Sequence, residues 1–123
     1  MKVPTAGELA GTEWLLEDLG GAGVVDDIEA TLVFPDDFVK VERISGNGSC
    51  NRFSGTAKVT AGLFEVGPLS LTRMMCPPAV IDQETNYLKA LEGTVRLAFD
   101  DPYLLLHSRT TDKPLRFARK TRR

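Results

Sequence analysis

The sequence predicts a mainly β domain, a β-rich α+β chain folded as a sheet or barrel with one α-helix. Three observations carry this. Short β-type runs recur along the chain, separated by Gly, Pro, Asn and Asp turn chemistry at fairly regular spacing. In residues 94–99, Val95, Leu97 and Phe99 alternate with Thr94, Arg96 and Ala98, the period of a half-buried strand. In residues 79–91, Ile81, Leu88 and Leu91 recur instead at helical intervals.

Taken in order, residues 12–19 read as a strand with Trp14 and Leu16 on one face. Residues 31–34 and 38–45 read as two strands joined around Pro35-Asp36-Asp37, a strong turn signal. Gly46-Asn47-Gly48 marks the next turn. Residues 53–59 then set Phe53, Gly55, Ala57 and Val59 against polar neighbours. Ala61-Gly62 leads to a strand at 63–66, and Gly67-Pro68 to one at 69–74. Pro77-Pro78 opens the helix at 79–91, and Gly93 stands where a C-terminal cap belongs. The chain ends as a meander. Strand 94–99 turns at Asp100-Asp101-Pro102 into 103–107, and residues 110–113 turn it again into 115–118, with Leu115 and Phe117 on one face.

A length of 123 residues fits one domain, spanning 1–123, with 42% hydrophobic and 26% charged residues marking an ordinary globular composition. The net charge of −2 is unevenly spread. Residues 1–37 carry nine acidic side chains against Lys2 alone, whereas the last eight residues carry Arg116, Arg119, Lys120, Arg122 and Arg123. A basic tail can bind nucleic acid. No aromatic or glycine-rich pattern accompanies this one, so it is expected to complement the acidic third, with no nucleic-acid partner. No stretch approaches the ~20 apolar residues of a membrane-spanning helix. The start, MKVPTAGELAGTEW, has no apolar core of an export signal. Either a cytoplasmic location or a mature chain without its leader is expected.

The inventory of reactive groups points away from catalysis. There is one histidine, His107, inside a predicted strand, and no Gly-x-Ser-x-Gly or Ser-x-x-Lys pattern. The pairs Asp26-Asp27, Asp36-Asp37 and Asp100-Asp101 fall in turns and read as solvated loop residues. Gly46-Asn47-Gly48-Ser49 lacks the Lys-Ser/Thr ending of a phosphate loop. Met74-Met75-Cys76 offers soft sulfur, but neighbours on a strand point to opposite faces, so core packing is expected and no metal or cofactor. Asn51 is expected to hydrogen-bond its own backbone and fix the bend after Cys50. Arg73 is expected to pair with a helix carboxylate, Glu84 being the candidate. Cys50 and Cys76 are either a disulfide, if the protein is exported, or two small buried thiols, if it is cytoplasmic.

Three islands together carry a resemblance: Gly11-Thr12-Glu13-Trp14-Leu15-Leu16; Gly46-Asn47-Gly48-Ser49-Cys50-Asn51-Arg52-Phe53-Ser54-Gly55; and Gly67-Pro68-Leu69-Ser70-Leu71-Thr72-Arg73-Met74-Met75-Cys76-Pro77. The third is followed by a helix holding Glu84, Tyr87, Leu88 and Leu91. In order and spacing the chain resembles the META domain family, the HslJ-like heat-shock and envelope proteins, from Leu9 to Phe117.

The resemblance implies a strongly curved antiparallel sheet, a lipocalin-like partial barrel with one helix packed on it, and a core spanning about 9–118. It implies no known reaction and no catalytic residues. It implies instead a stress-related protein of the bacterial envelope (periplasm or outer membrane) or a secreted one, with an envelope protein or a small ligand as partner. A lipid anchor on the full-length precursor would fit such relatives, although the lipoprotein signal is missing here, and a monomer is expected. Envelope relatives favour a Cys50–Cys76 disulfide; reduced cysteines would mean the cytoplasm. Trp14, Asn51, Arg52, Arg73, Met74, Pro77 and Glu84 then form the structural motif or candidate binding surface. The alternative is a lipocalin-like carrier of a small apolar ligand, which requires that Trp14, Phe53, Leu97, Phe99 and Phe117 leave the concave face unfilled.

Overall fold

A computed structural model describes residues 2–120. In chain order the elements are α1 (Ala6–Leu9), β1 (Thr12–Leu19), β2 (Ala22–Gly23), β3 (Thr31–Phe34), α2 (Phe38–Val41), β4 (Arg43–Asn47), β5 (Arg52–Thr60) and β6 (Leu63–Val66). They continue with β7 (Ser70–Leu71), α3 (Pro78–Glu92), β8 (Thr94–Asp100), β9 (Tyr103–Ser108) and β10 (Leu115–Lys120). Strand neighbours run β10-β9-β8-β6-β5-β4-β3-β1, all antiparallel, and β10 pairs back onto β1. The barrel is therefore closed, with eight strands, and the partial barrel of the sequence reading is completed by the Trp14↔Arg119 to Leu16↔Phe117 register. Closure removes the long free edges that an open sheet would expose.

The interior follows from the alternation. Trp14, Leu16, Phe34, Phe53, Ala57, Phe64, Leu97, Leu104, Leu106, Leu115 and Phe117 all point inward and are buried. Burial of each large side chain contributes roughly 1.5–3 kcal/mol. The helix α3 starts at a proline and presents Val80, Gln83, Glu84, Tyr87, Leu88, Ala90 and Leu91 to the barrel, one stripe at i, i+3, i+4 and i+7. Tyr87 reaches deepest. Its ring packs against Phe53 and Phe117, and its hydroxyl donates to the Thr31 carbonyl at 2.8 Å. Burial pushes this phenol far above its ordinary pKa. The cap Gly93 has φ −90°, not the left-handed geometry. Close approach explains the glycine, since a Cβ there would lie 3.1 Å from Ser108 Oγ and Thr110 Cγ2.

Several sequence expectations are corrected. Residues 38–45 are not one strand: 38–41 form a helical turn, started by Phe38 N–H donating to the Pro35 carbonyl and ended at Glu42 with φ 50°. Phe38 is thereby swung inward, edge-on to Phe34 at 5.0 Å, a tertiary contact that strand geometry would not give. In β8 a bulge between Thr94 and Arg96 turns Val95 out, 37% exposed, and buries Thr94, whose hydroxyl donates to the Ala90 carbonyl. The predicted strand 69–74 shrinks to Ser70–Leu71, because side chains replace the ladder beyond it. The turn after β4 falls at 48–51, with Gly46 and Asn47 still in the strand. There Gly46 is required, since a Cβ would sit 2.3 Å from the Thr31 carbonyl oxygen.

The basic C-terminal strand lies against the acidic N-terminal one. Arg116 pairs with Glu17 at 3.7 Å, and Lys120 with Glu13 at 3.6 Å and Glu29 at 2.9 Å. These pairs are exposed and individually worth little. Arg122 and Arg123 lie outside the described residues. Among the described residues no helix is long and apolar enough to cross a membrane.

Candidate functional site

The structure sorts the sequence-selected residues into two places. The first is a knot where the β4–β5 turn, the segment at 72–77 and the helix α3 meet. Glu84 projects from α3 into this junction and is 5% exposed. Its Oε1 accepts from the Cys50 N–H at 3.0 Å and the Asn51 N–H at 2.5 Å, and its Oε2 accepts from Asn51 Nδ2 at 2.9 Å. A carboxylate accepting three bonds is well suited to a buried turn whose amides have no ladder partner. Gly48 makes room for it, because a Cβ there would meet Glu84 Oε1 at 2.8 Å.

The same Asn51 faces the other way with its carbonyl oxygen, which accepts from the Met74 N–H at 2.6 Å and Thr72 Oγ1 at 3.0 Å. Thr72 Oγ1 in turn accepts from the Arg52 N–H at 3.0 Å, and the Thr72 N–H donates to the Arg52 carbonyl at 3.1 Å. Cys50 and Cys76 are joined by a disulfide, Cα atoms 6.1 Å apart across a sequence separation of 26. Asn51 is thus a bridge between three segments, not a local turn-former. The local role falls to Asn47, whose Oδ1 accepts from the Ser49 N–H at 3.0 Å.

Two further expectations fail here. Glu84 is taken by the Cys50–Asn51 turn, and Arg73 is exposed with no ion pair among the described residues. Met74 and Met75 do not pack in the core. They are 56% and 96% exposed, together with Leu71 at 41%, because the main chain of the segment faces the knot and its long side chains face solvent. Arg52 and Pro77 are also exposed, the latter immediately before α3. Sequence reasoning missed Gln83, which accepts from the Val25 N–H at 2.7 Å and donates to Ser49 Oγ at 2.9 Å. Thr72 lay within the third island but was given no role of its own there. A second polar residue beside Glu84 on the inward helix stripe was the available signal for Gln83.

Trp14 is not part of the knot. It lies at a cleft of about 930 Å³ formed with Lys2, Phe99, Asp100, Asp101, Pro102, Tyr103 and Arg119. Among the described residues no group of three or more His, Cys, Asp or Glu side chains could hold a metal ion. His107 lies across from Arg96 on β8. Partial burial and that guanidinium hold its imidazole below the ordinary value of 6.5.

A closed, helix-plugged, eight-stranded antiparallel barrel with a disulfide-tied rim defines the class. The sequence matches the META domain over residues 7–122, and the chain belongs to that family. It is similar to a protein solved by NMR, 26% identical with a TM-score of 0.72 over 94% of each chain. It is also similar to a protein from Burkholderia xenovorans, 26% identical with a TM-score of 0.71, over 95% of this chain and 87% of that one. A DUF4847 family protein from Bacteroides vulgatus shares the fold at 15% identity, with a TM-score of 0.65 over 94% and 96% of the two chains. No curated protein matches this sequence.

Proposed function

We propose that this is a non-catalytic META-domain protein that works in the bacterial envelope or outside the cell, in a binding or structural role under stress. The observation that carries the reading is the disulfide Cys50–Cys76, set into a knot of buried hydrogen bonds. Such bonds persist in oxidising compartments and are rare in the cytoplasm. The non-catalytic part rests on where the reactive side chains lie. The carboxylate of Glu84 is taken by three donors, and the one imidazole sits on a strand beside Arg96.

The carrier reading has less support in its original form. Trp14, Phe53, Leu97 and Phe117 are buried in the barrel interior, with Tyr87 driven between them and only Phe99 half-buried. Those side chains occupy the space an enclosed apolar ligand would need. The test is a thiol count on the natively expressed, full-length protein under denaturing, non-reducing conditions, with cell fractionation alongside. Zero free thiols on a monomer in the envelope fraction is the expected result. Two free thiols in a cytoplasmic protein would overturn the compartment. Turnover abolished by one substitution would overturn the non-catalytic reading.

A further inference from the structure

The cleft beside Trp14 is distinguished by what it leaves unpaired. Trp14 is the most buried of its lining side chains, 3% exposed, and its indole is fixed in place. Nε1 donates to Thr12 Oγ1 at 2.8 Å, and that hydroxyl donates to the Leu9 carbonyl at 2.5 Å. Phe99 lies 6.0 Å from the indole, and Tyr103 continues the aromatic wall. The Arg119 guanidinium sits over the Trp14 ring at 5.5 Å.

The charges around these rings are of both signs and are not closed on each other. Arg119 has no ion pair among the described residues, although its strand neighbours Arg116 and Lys120 both do. Asp100, at the end of β8, and Asp101, in the turn after it, line the same cleft and likewise have no cationic partner among the described residues. Lys2, the remaining cation, is engaged by Glu8. A ligand carrying only one charge would satisfy one side and be repelled by the other. A ligand carrying both, on an aromatic body, matches every group present.

We propose that this cleft binds a small aromatic zwitterion of the amino-acid type. The ring lies over the half-buried Phe99 and the edge of Tyr103, whose face carries the Arg116 guanidinium at 5.0 Å, with the buried Trp14 behind them under Arg119. The carboxylate takes the forked donors of Arg119. The ammonium group faces Asp100 and Asp101. The mouth of a filled barrel is a common place for such a site. The proposal is independent of the compartment and of the non-catalytic reading.

The test uses the full chain and L-phenylalanine, followed through the indole N–H of Trp14, the sole tryptophan in the sequence. Two analogues each remove one charge: L-phenylalanine amide lacks the carboxylate and 3-phenylpropionate lacks the ammonium. Saturable shifts at Trp14 and Arg119 are expected with phenylalanine, in the millimolar range suited to so small a ligand. Each analogue is expected to bind at least about tenfold more weakly. Arg119→Gln is expected to weaken phenylalanine about tenfold and leave the amide unchanged, with the remaining amide spectrum intact as proof of folding. No shift at Trp14 up to about 10 mM, equal binding of all three compounds, or an equal loss for phenylalanine and its amide in Arg119→Gln would each overturn it.

Discussion

The knot around Glu84 and the cleft around Trp14 are both clusters of polar and sulfur or aromatic side chains, but they are built in opposite ways. In the knot each strong group is consumed internally. The Glu84 carboxylate takes three donors, both ends of the Asn51 amide are used, and the cysteines are bonded to each other. In the cleft Arg119, Asp100 and Asp101 stay unpaired among the described residues around an aromatic wall. A buried polar group must be satisfied to be tolerated, whereas a solvated charge need not be. The difference therefore separates architecture from available chemistry. Substitutions in the knot should act on stability, and those in the cleft on binding.

The largest effect that would test this division is at Glu84. Glu84→Ala strands the Cys50 and Asn51 donors in a buried site, and a loss of about 3 kcal/mol or more is expected. Glu84→Gln keeps acceptor oxygen but turns an amide toward Asn51, so it should fall between the two. Urea denaturation read as a midpoint shift checks both; a loss under about 1 kcal/mol for the alanine would deny the knot its structural role. Next comes the disulfide. A Cys50→Ala/Cys76→Ala variant removes a crosslink across a separation of 26 and should cost about 3 kcal/mol by the chain-entropy argument. It should also loosen the segment at 72–77 locally. Hydrogen exchange at the Thr72 and Met74 amides is expected to accelerate, while amides of β8 and β9 follow global stability alone.

A smaller effect lies outside both clusters. The His107 imidazole is held below 6.5, by partial burial first and by Arg96 second. The folded state thus binds its proton less readily than the unfolded one. This contribution is complete above about pH 6.5 and is lost as pH falls through the depressed folded value. His107→Gln should remove that part of the pH dependence of the urea midpoint. An unchanged profile would show that the imidazole is not perturbed.

How much of this was legible in the sequence depended on the range of the deciding contact. The strands at Thr12–Leu19 and Arg52–Thr60 and the helix Pro78–Glu92 declared themselves through periodicity, and Tyr103–Ser108 through the turn before it, and both signals are local. Phe38 did not, because its helical turn is set by docking on Phe34. Val95 misled, because a single-residue bulge inverts inside and outside without leaving a mark on the hydrophobic pattern. In the knot, the residue types stood out but the pairings did not. Asn51 and Glu84 are 33 residues apart, and nothing local distinguishes Arg73 from Asn51 as the partner of that carboxylate. Arg119 was visible only as part of a basic tail. Its place beside Trp14, with no ion pair among the described residues, is set by the barrel closure.

The smallest expected effect bears on the edge of the knot. Along 72–77 the groups that hold the segment are the Thr72 hydroxyl and N–H, the Met74 N–H and the Cys76 sulfur. The side chains of Arg73, Met74 and Met75 do none of this and lie in solvent. Arg73→Ala and Met75→Ser should each therefore change stability by no more than about 0.5 kcal/mol, the range of an ordinary surface substitution. The comparison with Glu84→Ala is direct, since an Arg73–Glu84 ion pair would make the two losses similar. A loss above about 1 kcal/mol for Arg73→Ala would mean that this guanidinium, and not the main chain, anchors the segment. The expected near-zero result would place the boundary of the knot at the backbone, with everything beyond it free to vary without cost to the fold.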